Sequence, residues 1–398
     1  MTRLILGSSH RKVSADQLSA HLYVIDLESR QILKKTEMID PPFRMFDYNP
    51  RGGMRGTRGI SWSQARPLNG KDGSVAHTTQ EIALANYASI FCFDTHWNLT
   101  RVLSQPAISG IHEIQHAGAD LWVTATSTDQ LVRLDEQGEI VFAWSVHNHN
   151  HLMNQMRIRP IPMTARKLLS GKTDFRDRRN FNDQDFDHCH LNSLSLCDNG
   201  DLLVSLGLIT NRRFSALLDI KGFLLKIGIW PWVLNINRII RDALHLKKKM
   251  LSDLVAVPVQ GRSAVVRLQP DGSARVLFMI DVATNPSHTV RALPDGSGIY
   301  LDTSHGLIVH FDAQTGAIHS QTKIADQFLR GAVLLPDGKI ALGAGNEILI
   351  FDIETKSMLD RISFTANPDE SVHGLTLLPP EFSLPPDSLQ TILNKQKP

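Results

Sequence analysis

Cysteine is scarce: three occur in 398 residues, Cys92, Cys189 and Cys197. An odd number without metal-ligand spacing supports neither a disulfide framework nor a zinc ribbon. Long apolar runs are also missing, since each breaks on Asp, Lys, Arg or Gly well short of the roughly 20 residues a spanning helix needs. No transmembrane helix is expected. The start, Met1-Thr-Arg-Leu-Ile-Leu-Gly7, holds too short an apolar run for the core of a signal peptide. A cytoplasmic protein with reduced thiols is the expectation. No charge sign dominates either, with 42 Lys and Arg against 40 Asp and Glu, so neither a general polyanion binder nor a nucleic-acid partner is expected. What the chain does have is histidine, 17 residues beside only 4 tyrosines.

The positions of those histidines become readable through an internal repeat. One apolar strand ends on Asp or its equivalent six times: Leu22–Asp26, Ile90–Asp94, Leu131–Asp135, Val266–Gln269, Ile308–Asp312 and Ile348–Asp352. A second strand precedes each, at Leu4–Gly7, Ile82–Ala85, Leu121–Thr124, Leu202–Ser205, Ile299–Asp302 and Ile340–Gly343. Before that comes a strand rich in small residues, often followed by a hairpin turn such as Pro-Asp-Gly or Asp-Asn-Gly. Its copies are Arg58–Trp62, His112–Gln115, Asn192–Leu196, His288–Leu293, Arg330–Leu335 and His373–Leu378. Short strands repeating every 40 to 50 residues, roughly, mark a propeller. The predicted fold is all-β, one six-bladed β-propeller domain over residues 1–398. Its last inner strand, 373–378, belongs with strands in residues 3–38, so the two ends of the chain share the closing blade and leave few sheet edges exposed.

Alternating strand direction sorts the connections onto two faces. Most long ones, residues 8–21, 39–57, 145–189 and 207–262, fall on the face where the inner strands begin; 63–80 is the exception. Long loops on a rigid scaffold commonly carry binding or catalysis. The first residues of the inner strands, Arg58, His112, Asn192, His288, Arg330 and His373, therefore converge at the decorated mouth of the channel. Such polar residues can simply hold water. Two guanidiniums and three imidazoles so close together nevertheless require a compensating anion or metal. Two chemistries satisfy this. His112, His288 and His373 could hold Zn²⁺ or a similar divalent ion as a lyase or hydrolase. Alternatively Arg58 and Arg330 clamp a sulfate, phosphate or carboxylate while a histidine acts as nucleophile or acid and base, with no cofactor required.

The most specific local signal is Asp187-His-Cys-His-Leu-Asn-Ser-Leu194, leading into the third inner strand. An Asp, two residues, His, one residue and Asn-Ser at that place resembles the six-bladed arylsulfotransferases, which move a sulfuryl group between phenols without a nucleotide donor. The resemblance implies His190 and Asn192 in the channel with Asp187 beside them, further histidines such as His112, and an Arg that binds the sulfuryl group. It also implies a transient sulfuryl acceptor from a later blade, His288 or His373. Where the family carries its Arg just beyond the next strand, this chain has Gly207 and Leu208, leaving Arg58, Arg330, Arg212 or Arg213 for that role.

Two insertions complete the pattern. Residues 145–189 hold His147, His149 and His151, expected on one side of an extended strand as extra metal ligands or as part of a polar lid, then a basic run that steers anions. Within 207–262, residues 214–250 are apolar and aromatic, then amphipathic, then basic; Ile236, Ile239, Ile240 and Leu244 recur at helical spacing after a break at Pro231. This segment suits a membrane-surface anchor, a lid or a self-association surface. The combined expectation is an enzyme acting on a small, anionic and partly apolar molecule, with a non-catalytic binding propeller as the remaining alternative.

Overall fold

The Asp that closes each repeated strand has a local job. In a computed structural model of the chain, Asp26, Asp94, Asp135, Asp312 and Asp352 each accept a backbone N–H two residues later, at 3.1, 2.9, 3.0, 2.9 and 2.9 Å. These Asx turns reverse the chain into the next strand. The structure describes residues 2–10, 20–37, 57–63, 67–69, 75–77, 80–158, 174–176, 186–209, 220, 223–224, 227–244, 261–282 and 285–389.

The chain opens with β1 (Arg3–His10), β2 (His21–Asp26) and β3 (Gln31–Glu37). Blade 1 begins at β4 (Gly59–Ser63), then a small hairpin of β5 (Pro67–Asn69) and β6 (Val75–His77) intervenes before β7 (Glu81–Ala85), β8 (Ile90–Asp94) and β9 (Leu99–Leu103). The long 63–80 connection thus carries strands of its own. Blade 2 is β10 (Ile111–Ala117), β11 (Asp120–Ala125), β12 (Gln130–Leu134) and β13 (Ile140–Ser145). Blade 3 follows with β14 (Leu191–Leu196), β15 (Leu202–Ile209), β16 (Arg262–Leu268) and β17 (Ala274–Asp281). Blade 4 is β18 (His288–Ala292), β19 (Ser297–Asp302), β20 (Leu307–Asp312) and β21 (Ile318–Lys323); blade 5 is β22 (Leu329–Leu334), β23 (Ile340–Ala344), β24 (Glu347–Asp352) and β25 (Ser357–Ser363). Finally β26 (Glu370–Leu377) pairs with β1, giving the sheet order β26-β1-β2-β3. The protein is an all-β six-bladed propeller closed by its two ends.

Apolar residues of neighbouring blades fill the space between them, as where Trp122 and Trp144 of blade 2 meet Leu194 and Val204 of blade 3. The connection from blade 2 to blade 3 joins that core. A helical turn, Val146–Asn148, leads into the short helix α1 (Asn150–Met156), whose Leu152, Met153 and Met156 are buried in the same cluster. The extended strand expected for His147, His149 and His151 is replaced by these helical turns. His147 is buried, whereas His149 lies against Trp144 and His151 Nε2 donates to the Ala274 carbonyl at 3.2 Å. Most of the basic run after Arg157 lies outside the described residues. The second insertion is narrower than expected, because β15 extends to Ile209 and β16 starts at Arg262. Its helix, α2 (Trp230–Ala243), includes Pro231 in the first turn, where a missing N–H is harmless, and ends just before Leu244.

The closing joint is polar. Glu370 of β26 is buried and accepts from His21 Nδ1 at 2.9 Å, from Tyr23 Oη at 3.1 Å and from Ser8 Oγ, with His10 Nε2 at 3.2 Å. Burial pushes its carboxyl up, but the His21 and Ser8 hydrogen bonds and the two imidazoles outweigh this and hold it at about 2. A carboxyl depressed from the ordinary value near ~4.3 stabilises the fold above that pH, roughly 3 kcal/mol here, and loses it as pH falls toward 2. Glu370→Gln is expected to be less stable than wild type at neutral pH, with the gap in Tm narrowing below about pH 4.

Candidate functional site

Five of the six inner strands share an irregularity at the same height. Opposite single residues of the neighbouring strand, the register skips His112 and Glu113, Asn192, Thr289, Gly331 and His373. Such bulges re-aim side chains and commonly lie beside active sites. The bulge residues cluster around the axis. Thr289 adopts φ 74°, and His190, immediately before β14, adopts φ 51°. A β-branched residue with positive φ is strained, and strain of this kind gathers where a site is held in place by its surroundings.

A cavity of about 20 Å³ lies on the axis, lined by Arg58, His112, Asn192, His288, Arg330 and His373 among others. These are the six residues expected at the channel mouth, so the structure brings them together. The volume suits a water or the tip of a small group.

Three of the imidazoles form a tighter group, and His190 replaces His373 in it. Ring centroids are 4.9 Å apart for His112 and His190, 6.0 Å for His112 and His288, and 5.9 Å for His190 and His288. One ligand nitrogen from each lies within 4.8 Å of the others. His373 falls outside this set, with Nε2 facing Arg330 Nη1 at 3.5 Å. The metal set expected from sequence, His112 with His288 and His373, is therefore not the one that converges.

Orientation of the rings follows from their second nitrogens. His112 Nδ1 lies 2.7 Å from the Gly110 carbonyl, which can only accept, so Nδ1 carries the proton and Nε2 the lone pair. His190 Nδ1 donates to Asp187 Oδ2 at 2.7 Å, while Asp187 Oδ1 accepts the His190 backbone N–H at 2.8 Å. His288 Nδ1 lies 3.5 Å from Thr303 Oγ1, whose own proton goes to the Leu329 carbonyl. Burial, then the nearby His190, Arg330, Arg58 and His288, push His112 well below the ordinary histidine value. His112 is neutral at physiological pH.

The cations sit beside this group. Arg58 lies over the Tyr87 ring at 5.0 Å, and Arg330 Nη2 donates to the His112 carbonyl at 3.4 Å. Glu113 lines the same cavity but is ion-paired with Arg291. Asn192 Nδ2 donates to the Ser287 carbonyl at 2.7 Å, leaving its buried Oδ1 without a partner among the described residues. A ligand O–H or N–H would satisfy that oxygen. Gly207 leaves no room for a side chain. A Cβ there would come within 2.3 Å of the Ser287 carbonyl oxygen and 2.4 Å of Asn192 Nδ2. Arg58 and Arg330 line the cavity, while Arg212 and Arg213 lie outside the described residues.

Sequence reasoning missed what holds His190. Asp129, fully buried with φ 50°, accepts the backbone N–H groups of His188 and Cys189 on Oδ2 at 2.6 and 3.0 Å, with Leu191 N at 3.4 Å from Oδ1. His147 Nε2 completes the group at 3.0 Å from Oδ2. Burial raises the Asp129 carboxyl, yet the His147 bond, the two nearby imidazoles and the His188 amide keep it below its ordinary value. Its only sequence trace is an acidic residue at the end of Thr126-Ser-Thr-Asp129, which does not announce a partner about sixty positions away. Cys189 beside it is fully buried, and burial and then Asp129 push its thiol far up, which disfavours the thiolate.

No family model and no curated protein matches the chain. Solved structures do. A nidogen/laminin complex is similar at 8% identity over 94% of this chain and 98% of that one, with a TM-score of 0.50. A Bacteroides caccae protein of unknown function gives 7% identity over 95% and 98%, with a TM-score of 0.48. A catalytically inactive virginiamycin B lyase from Staphylococcus aureus with quinupristin gives 11% over 79% and 72%, with a TM-score of 0.41. At such identities the likeness extends to the propeller fold alone.

Proposed function

We propose that the channel mouth transfers a small anionic group, in the first place a sulfuryl group from an aryl sulfate to a second phenol, through a histidine. The observation that carries this reading is the convergence of His112, His190 and His288 beside Arg58 and Arg330 around an axial cavity. The guanidiniums neutralise the oxyanion and stay fixed while charge moves to the leaving oxygen. Of the two acceptors implied by resemblance, His288 is the one inside the histidine group. Its imidazole nitrogen attacks sulfur, the sulfur–oxygen bond to the aryl group breaks, and the departing oxygen takes a proton from His190. The second phenol gives its proton back to His190 as its oxygen attacks sulfur, the nitrogen–sulfur bond breaks, and neutral His288 is restored. Asp187 keeps the His190 ring in place and balances its charge when both nitrogens are protonated.

A second reading is favoured by the way His112 and His190 commit Nδ1 to an oxygen acceptor, as metal-bound imidazoles do. Three nitrogens 2.0–2.1 Å from a zinc ion would sit about 3.3 Å apart, a spacing inside the 4.8 Å limit of this group. The adjacent guanidiniums oppose a dication unless an anion binds with it.

One experiment separates these readings. The purified protein is analysed for metals and incubated with 4-nitrophenyl sulfate and phenol. Nitrophenolate release that depends on phenol, with a one-sulfuryl mass increase on His288, is the expected result. One equivalent of divalent metal, lost in His190→Ala and kept in His373→Ala, with no adduct, replaces transfer by the metal reading. Neither result leaves a binding propeller.

A further inference from the structure

Exposed large apolar residues are unevenly spread over this protein. Eight of the fourteen among the described residues fall between positions 220 and 244, including Phe223, Trp232, Ile239, Ile240 and Leu244. Trp232 is 65% exposed, Leu244 63% and Ile239 59%. At 3.6 residues per turn, Trp232, Ile236, Ile239, Ile240 and Ala243 share one face of α2. None of the buried apolar clusters of the propeller contains a residue of this segment. An apolar face of this size in water marks a surface made for a partner.

Charge identifies the partner. Residues 212–249 contain nine Lys and Arg against two Asp, a surplus of seven, although the whole chain has a surplus of only two. The rest of the protein is therefore net negative. Positive charge has been gathered onto the segment that exposes isoleucine and tryptophan. A second copy of the same surface would repel it, and the composition is that of helices lying at an anionic bilayer surface, with tryptophan at headgroup depth. No described helix is long and apolar enough to cross a membrane.

We propose that α2 and its flanking basic residues dock this propeller on the surface of an anionic phospholipid bilayer. The helix lies in the plane of the interface, with Trp232, Ile239 and Ile240 at the acyl boundary and the lysines and arginines on the headgroups. Because the segment is inserted between β15 and β16 on the face where the inner strands begin, docking brings the channel mouth toward the membrane. The inference stands independently of the transfer chemistry.

The test is sedimentation of the full chain with vesicles of phosphatidylcholine alone or mixed with phosphatidylserine. Binding is expected only with phosphatidylserine, weakening as salt rises, and roughly tenfold or more reduced in Trp232→Glu/Ile239→Glu. Replacing Lys247, Lys248 and Lys249 with Gln should lower affinity by roughly fivefold per charge. Both changes are on exposed or charged positions, and an unchanged Tm confirms that each variant is folded. Equal binding to both vesicle types, no binding to either, or binding indifferent to the double variant overturns the proposal. So does a concentration-dependent dimer in sedimentation velocity that the double variant abolishes, which would assign the face to self-association.

Discussion

Asp129→Ala is expected to destabilise the protein by roughly 3–5 kcal/mol, read as a fall in the urea midpoint at unchanged slope. The carboxylate is wholly buried, and its removal leaves the His188 and Cys189 amides, with the His147 imidazole, lacking their acceptor. Orphaned buried donors of this kind carry the full penalty of desolvation. Asp129→Asn should recover part of the loss, since its amide oxygen still accepts while its NH₂ group faces donors. The same change has a functional consequence. Asp129 grips the backbone on both sides of His190, so the alanine variant is expected to lose activity even at temperatures where it remains folded.

His288→Ala is expected to slow transfer by at least ~10³-fold, the scale on which removal of a nucleophile acts. Added imidazole should restore part of the rate by entering the space left by the ring. Arg330→Gln should weaken binding of the sulfate group, visible in KM as well as kcat, while His373→Ala is expected to be milder because His373 stands outside the histidine group. The pH profile provides a separate check. A His112 pushed well below the ordinary histidine value stays neutral through the range where histidines usually titrate, so His112→Asn is not expected to remove an ionisation near pH 6.5. The kinetics of the four proteins with a single aryl sulfate decide these points.

The propeller is legible in the sequence because its repeated unit writes itself in local chemistry. An Asp at the end of a strand caps the turn that follows, as Asp94 and Asp312 do, and five such turns, with Gln269 in the sixth place, reveal six blades. The mouth residues are legible for a related reason, since the first position of an inner strand is defined by the same period. The finer arrangement is not. A bulge adds no visible residue to the period, so nothing in Asn192, Thr289 or His373 signals that the register skips them. His190 and His373 exchange places in the histidine group for this reason, since their separation depends on backbone turns rather than on spacing along the chain. Likewise His147, His149 and His151 alternate as a strand would, but Leu152, Met153 and Met156 gain more by turning into the apolar space between blades 2 and 3.

The pairing of β1 with β26 also sets an order of events in the making of the protein. The first strand of the chain finds its neighbour only after more than 350 intervening residues have been made, on the order of tens of seconds at cellular synthesis rates. Through that interval β1 lacks β26 on one of its edges. Such an edge invites pairing with other chains. The carboxylate of Glu370 comes with that last strand, and its bonds to His21, Tyr23 and Ser8 reward the one pairing that closes the ring over any other strand at the β1 edge.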